Sequence, residues 1–134
     1  MFDILSGIKN RLTSNNISPP IFYEYENPTE EAIFIFNTNN SESKSAQQIT
    51  YLNRADVTII SRFIKQKDSL TTSKSIHELF TDFQGVLTDE NGSQGVVQWV
   101  NVISAPRFIA VNKNQDSKEY AVQYQINYLK KLTN

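Results

Sequence analysis

Cysteine is absent from the 134 residues. That excludes a disulfide framework, a thiolate zinc site and a cysteine nucleophile. Histidine occurs once, at His77, and one imidazole builds neither a His-rich metal site nor a catalytic histidine pair. The four glycines form no P-loop and no G-x-G-x-x-G pattern. No apolar run approaches the roughly 20 residues of a membrane helix. The N-terminal stretch carries an acid, Asp3, where a signal peptide carries its positive region. Cytoplasmic synthesis and no membrane partner are the resulting expectations. Neither sign of charge dominates: 13 basic and 14 acidic residues give a net charge of -1. A general nucleic-acid binder would show a basic surplus.

What is present fits a globular chain. Hydrophobic residues make up 39% and charged residues 20%, a balance that permits a buried core. The length suits one domain spanning 1–134 and needs no covalent staple. Composition and motifs alone do not say what the protein does.

Phe2, Leu5, Ile8 and Leu12 recur at helical spacing, with Lys9, Asn10 and Arg11 between them. This predicts an amphipathic helix, started by Asp3 and stopped before Pro19-Pro20. Ile21–Tyr25 and Ala32–Phe36 read as two strands around the turn Asn27-Pro28-Thr29-Glu30, most simply a hairpin. Residues 37–48 are rich in Asn, Ser and Gln and hold one apolar residue, Ala46. They predict a long exposed loop, able to project about 20 Å when folded back on itself.

Ala55 to Ile64 is apolar on alternate positions, with apolar residues on the second face too, the mark of a central or covered strand. Ile76, Leu79, Phe80, Phe83 and Leu87 predict a second helix, capped by Asp68 or Ser69 and ending near Gly85. Val96–Ile103 and Phe108–Val111 read as strands on either side of Pro106. After a polar turn at Asn112–Ser117, Tyr120 to Leu129 alternates strictly, the strongest strand signal in the chain. The expected fold class is α+β: a mainly antiparallel sheet with two helices packed on one face.

Candidate chemistry is thin. Glu24, Glu26, Glu30 and Glu31 cluster near a turn but match no calcium-loop spacing, so a solvated acidic turn is expected. His77-Glu78 resembles the start of a zincin helix, yet no second histidine follows, and an exposed helical histidine is expected. Ser41, Ser43 and Ser45 lack a positioned base. Lys65, Lys67, Lys130 and Lys131 are offset by acids, and the Tyr120, Tyr124, Tyr128 row reads as a core or interface stripe rather than a base-stacking platform. Six tyrosines and eight phenylalanines are many for a core this small. Together with Gln123, Gln125 and Asn127 they lean toward a protein that assembles. No catalytic residue, metal site or cofactor is expected.

The chain also resembles a known family. The opening Met1-Phe2-Asp3-Ile4-Leu5 and its helix, the middle strand Ala55–Ile64, and the helix to Leu87 carry the resemblance. So do the closing segments, Trp99 to Phe108 around Pro106 and Glu119 to Tyr128. These are similar to the tail-terminator or "minor capsid" proteins of long-tailed phages that infect Gram-positive bacteria. The resemblance implies a non-enzymatic virion protein of the tail and neck, made in the bacterial cytoplasm. It implies a homohexameric ring that caps the head-proximal end of the tail tube, ends tube growth and joins the tail to the neck. The implied partners are further copies of itself, the major tail tube protein, the neck or stopper protein, and genome DNA passing the lumen without specific binding.

A ring needs heterologous contacts that close. The expected contact residues are Asn40, Ser41, Glu42, Ser43 and Lys44 in the polar segment, Asn114, Gln115 and Asp116 at the last turn, and Tyr124 and Tyr128 on the final strand. The rival readings are a head-completion or stopper protein of the neck and a monomeric protein-binding module. A small hydrolase is a distant third.

Overall fold

The computed structural model describes residues 2–23, 31–44, 51–112 and 117–130. Helix α1 (Ile4–Ser14) begins where the Asp3 carboxylate accepts the Leu5 N–H at 3.1 Å, satisfying one of the donors a helix start leaves open. Ile4, Ile8 and Leu12 form its buried stripe. Helix α2 (Gln66–Phe80) buries Ile76 and Phe80. Its start is tied to the sheet by Ser69, whose hydroxyl donates to the Ser61 carbonyl at 2.6 Å.

Six strands form one sheet: β1 (Ile21–Phe22), β2 (Ala32–Lys44), β3 (Tyr51–Phe63), β4 (Gly85–Thr88), β5 (Gln94–Asn112) and β6 (Ser117–Lys130), in the order β1-β2-β3-β6-β5-β4. The sheet carries two cores. Ala55, Val57 and Ile59 of β3 and Val122, Tyr124 and Ile126 of β6 meet both helices in the larger one. The alternate residues Phe34, Ile60 and Ala121 build a smaller core on the opposite face. Both faces of β3 are thus buried from Ile59 to Arg62, while Asp56 and Thr58 are half-buried and Arg54 is exposed on its second face. Beside the smaller core, the Arg62 Nε donates to Glu119 at 2.8 Å, both side chains essentially inaccessible to water. The Arg62 guanidinium also lies 4.6 Å from the Phe34 ring centroid.

The expected fold class is corrected. The chain is mostly β, with two helices against a curled, mixed sheet of six strands. The expected hairpin is the first difference: β1 runs parallel to β2, with Ile21 opposite Ile33 and Phe22 opposite Phe34. The Ile33 N–H reaches the Pro20 carbonyl at 2.8 Å, and the two prolines ahead of β1 hold the chain extended there. The expected loop from Asn37 is the second difference. Residues up to Lys44 continue β2, paired with β3 from Asn37↔Val57 to Lys44↔Tyr51; residues 45–48 lie outside the described residues. Asn and Ser favour turns in isolation, but the long neighbour β3 offers a full row of backbone partners, and pairing overrides propensity.

The second helix also ends earlier than its spacing predicts. Lys65, not Asp68 or Ser69, occupies the N-cap. Asp82 takes a left-handed conformation (φ 58°) just after the last turn, which a helix cannot continue through. Leu87 therefore buries itself from β4. Pro106 does not divide β5, which runs through it with register shifts on either side. A bulged strand accommodates the missing N–H.

Arg11 locks the two helices together. Its guanidinium donates twice to the Leu79 carbonyl, at 3.0 and 2.7 Å, and lies 3.8 Å from the Phe83 ring centroid. A cation thus caps the C-terminal end of α2, where the open carbonyls and the helix dipole favour positive charge.

The turn after β4 is organised by Asp89. One carboxylate oxygen accepts the N–H groups of Asn91 and Ser93, both at 2.9 Å, and the other accepts that of Asp3 at 3.0 Å. The Glu90 N–H donates to the Ser6 hydroxyl at 2.8 Å, so the turn clasps the start of α1. Burial works against the charged form of Asp89. The backbone donors of Asp3, Ser93 and Asn91 outweigh it and hold the carboxyl below its ordinary value. A group depressed in the folded state stabilises fully above its unfolded value, about 3.9 for Asp, and that stabilisation is lost as pH falls through the folded value. Asp89→Asn is therefore expected to flatten the stability profile below about pH 4, read as the urea midpoint between pH 7 and pH 2. An unchanged acid limb would assign that limb to other carboxyls.

Candidate functional site

β4 is four residues long and pairs with β5 only from Gln94 to Val97. Beyond it, among the described residues, β5 is paired on one side alone, with β6. Its outer backbone edge is open from Gln98 to Ile109. Along this edge Trp99, Val102, Ile103, Phe108 and Ile109 are exposed, Trp99 by 41% and Ile103 by 55%. They flank the edge on both faces. Val102 lies opposite Tyr124 and Phe108 opposite Tyr120, on the helix side; Trp99 lies opposite Asn127, whose side chain points the other way. Phe108 and Tyr120 meet edge to face at 5.5 Å between centroids, which fixes one end of the patch. A cleft of about 280 Å³ beside Trp99 is walled by Asp82, Phe83, Gln84 and Val100.

Charge is sparse along this edge, where the exposed Arg107 is the single charged residue between Gln98 and Ile109. No Asp, Glu, Lys or Arg occurs between Glu90 and Arg107. Open edges that remain in water are ordinarily blunted with charged side chains, and apolar groups clustered on one strand mark an interaction surface. Sequence reasoning identified these strands but not this surface. The uncharged run was a readable signal; what the sequence did not reveal is how early β4 stops covering β5.

The expected contact residues fall in different places. Asn40 is exposed on β2, opposite Ala55. Ser41, Glu42, Ser43 and Lys44 lie on β2 opposite Arg54, Asn53, Leu52 and Tyr51. Asn114, Gln115 and Asp116 lie outside the described residues. Tyr124 and Tyr128 sit in the chain's own core. Tyr128 packs edge to face on Phe2, and Tyr124 lies between Phe80 and His77. Among the readings weighed, core stripe fits the tyrosine row.

His77 is not the fully exposed helical histidine expected. It is half-buried, stacked on Tyr124, with its Nδ1 2.7 Å from the Tyr124 hydroxyl. Burial pushes that hydroxyl well above its ordinary value, so it stays protonated. The pair joins α2 to β6. Lys65 and Lys67 are exposed at the start of α2. Glu24, Glu26, Glu30, Ser45 and Lys131 lie outside the described residues.

A cleft of about 350 Å³ lies between the start of α1 and the sheet, lined by Phe2, Asn53, Arg54, Tyr128 and Lys130 among others. It brings the Asp3 carboxylate together with the Arg54 and Lys130 cations and the amides of Asn37, Asn40 and Asn53. Among the described residues, no three of His, Asp and Glu converge as metal ligands, and no helix is long and apolar enough to cross a membrane.

No protein-family model matches the sequence, and no curated protein matches it. A solved structure does share its fold. A chain of the structure described as "Virion of native gene transfer agent (GTA) particle" superposes with a TM-score of 0.60, covering 91% of this chain and 91% of that one, at 5% sequence identity. At that identity the likeness is one of fold.

Proposed function

We propose that this protein is a structural component of a virion, working by assembly, and that it forms the ring that caps the head-proximal end of a tail tube and joins it to the neck. The observation that carries the proposal is the open, apolar edge of β5, whose one charge is Arg107, on a fold similar over nine-tenths of its length to a chain of a virion. The tail-terminator resemblance of the sequence supplies the finer role.

Three physical features support it. A protein that acts by docking needs a surface that water disfavours, and the β5 edge is one. Closed rings are built from two unlike surfaces on each subunit, and an open sheet has two unlike ends. The net charge of -1 suits a lumen that passes DNA, because a basic surplus would add phosphate contacts and retard transit. In this reading no bond is made or broken, and no cofactor is required.

The test is genetic and visual. Particles assembled without this protein are expected to yield tails of uncontrolled length, separated from filled heads, under the electron microscope. The purified chain is expected to form closed rings at high concentration or on tube ends. Normal joined particles in its absence would overturn the proposal. Heads that leak DNA while tails keep their length would reassign the protein to the neck.

A further inference from the structure

We infer that the β5 edge is the seat of a second copy of this chain, and that the strand docking on it is β1 of that copy. The inference rests on the assembly reading above and names the surfaces that would meet.

The occupant is argued from charge, area and length. Between Glu90 and Lys113 the only charged residue is Arg107, so the edge offers almost nothing to phosphates or to an acidic or basic peptide. It suits a partner that is itself uncharged and apolar where it touches. The opposite end of this same sheet offers a short apolar strand with one cation beside it, the Lys9 Nζ lying 5.6 Å from the Tyr23 ring centroid. β1 is the terminal strand, its residues are Ile21 and Phe22, and the following Tyr23 is exposed. The five exposed β5 side chains present on the order of 350 Å² of apolar area, since large aromatic side chains cover about 150–250 Å² each. That is a little under half of the roughly 800 Å² each partner gives to a stable interface, a fitting share for the core of one.

Length decides between β1 and a second β5. Two β5 edges facing each other around a twofold axis would form a ladder that meets the same irregularities on both of its strands. β5 has register shifts between Val97 and Trp99, Val102 and Ser104, Ser104 and Arg107, and Phe108 and Ala110, and each breaks such a ladder. Only Trp99 to Val102 runs in unbroken register over four residues on the open stretch before Pro106. A partner strand of two residues fits that window. β1 is two residues long. Joining the β5 edge of one copy to β1 of the next is a heterologous contact, which propagates around a ring.

The chain has no cysteine and a single tryptophan, Trp99, which makes the test direct. Asn101 and Tyr23 are both exposed. The double variant Asn101→Cys/Tyr23→Cys is expected to give a ladder of disulfide-linked oligomers on mild oxidation. A mixture of the two single variants is expected to give dimers, and each single variant alone none. Trp99 emission of the unmodified protein is expected to shift to the blue as concentration rises. Val102→Asp is expected to raise the concentration of half-assembly by at least about tenfold, the scale of one hot-spot residue. Its monomer should keep the thermal midpoint of the unmodified chain, because Val102 is exposed.

Cross-linking of Asn101→Cys with itself would overturn the inference in favour of a twofold pair. Rings that form while Trp99 keeps its emission, or that tolerate Val102→Asp, would overturn it and leave the ring proposal standing. A blue shift on adding another virion protein but never on self-concentration would overturn it too. A chain that stays monomeric at every concentration and on tube ends would sink both.

Discussion

Arg62→Met is expected to destabilise the fold by about 3–5 kcal/mol, the cost of leaving one member of a buried ion pair without its counter-charge. Arg62 and Glu119 face each other across β3 and β6 at 2.8 Å, with side-chain exposures of 0% and 1%. Water cannot screen what remains when either is removed. Glu119→Leu is expected to cost a similar amount. The double variant Arg62→Met/Glu119→Leu is expected to recover most of the loss, because two apolar groups of matched volume avoid the desolvation of both charges. Chemical denaturation of the four proteins closes the cycle. Additive single effects would mean that the two side chains act through separate neighbours. The pair stands at the end of the sheet where β3 and β6 begin their long pairing, so it reports on the register of the whole sheet.

A loss of similar size, about 3–5 kcal/mol, is expected from Phe2→Ala, the range for truncating a core aromatic. The Phe2 ring is buried and fills a slot between α1, β5 and β6. It packs edge to face on Tyr128 at 5.6 Å, and two glycines make room for it. A Cβ on Gly95 would stand 2.6 Å from a ring carbon of Phe2, and a Cβ on Gly7 2.8 Å from another. Gly95→Ala therefore clashes with the ring as it sits. It is expected to be destabilising in the natural background and nearly neutral when Phe2 is already alanine. Thermal or urea unfolding of the single and double variants measures that coupling. Equal effects of Gly95→Ala in both backgrounds would mean that the glycine serves the strand's backbone rather than the ring.

The sequence made the large pieces legible where one physical signal acted alone. The helical spacing of Phe2, Leu5, Ile8 and Leu12 and the acid Asp3 at its start placed α1, although Ile4 rather than Leu5 joins Ile8 and Leu12 in the buried stripe. The strict alternation from Tyr120 to Tyr128 placed β6, and the two-sided apolar pattern of Ala55–Ile64 implied a central or covered strand, which β3 is, lying between β2 and β6. It failed where tertiary pairing overruled local preference. The Asn- and Ser-rich stretch after Phe36 looked like a loop because its residues favour turns, yet β3 supplies partners out to Lys44. Phe83 and Leu87 kept helical spacing by coincidence, and the turn at Asp82 ended the helix first. The parallel pairing of β1 had no local signal, since direction is set by how the chain returns and not by the strand's own residues.

The candidate site was half visible. The aromatic excess pointed to docking, and the row Tyr120, Tyr124 and Tyr128 proved to be internal. The exposed groups come instead from β5, where Trp99, Val102 and Ile103 looked like ordinary strand residues. What makes them a surface is the shortness of β4, a property of a neighbour that no pattern within β5 encodes.

The order of the strands has a bearing on timing. β6, the last of the six to leave the ribosome, lies in the middle, with β3 on one side and β5 on the other. Until it arrives, the two halves of the sheet share no backbone ladder and the larger core lacks Val122, Tyr124 and Ile126. Long-range pairing of this kind is slow relative to helix formation. On the proposed ring assembly, a nascent chain therefore has no finished docking edge to offer its neighbours on a polysome, and copies would become competent to join one another only after synthesis has passed Lys130.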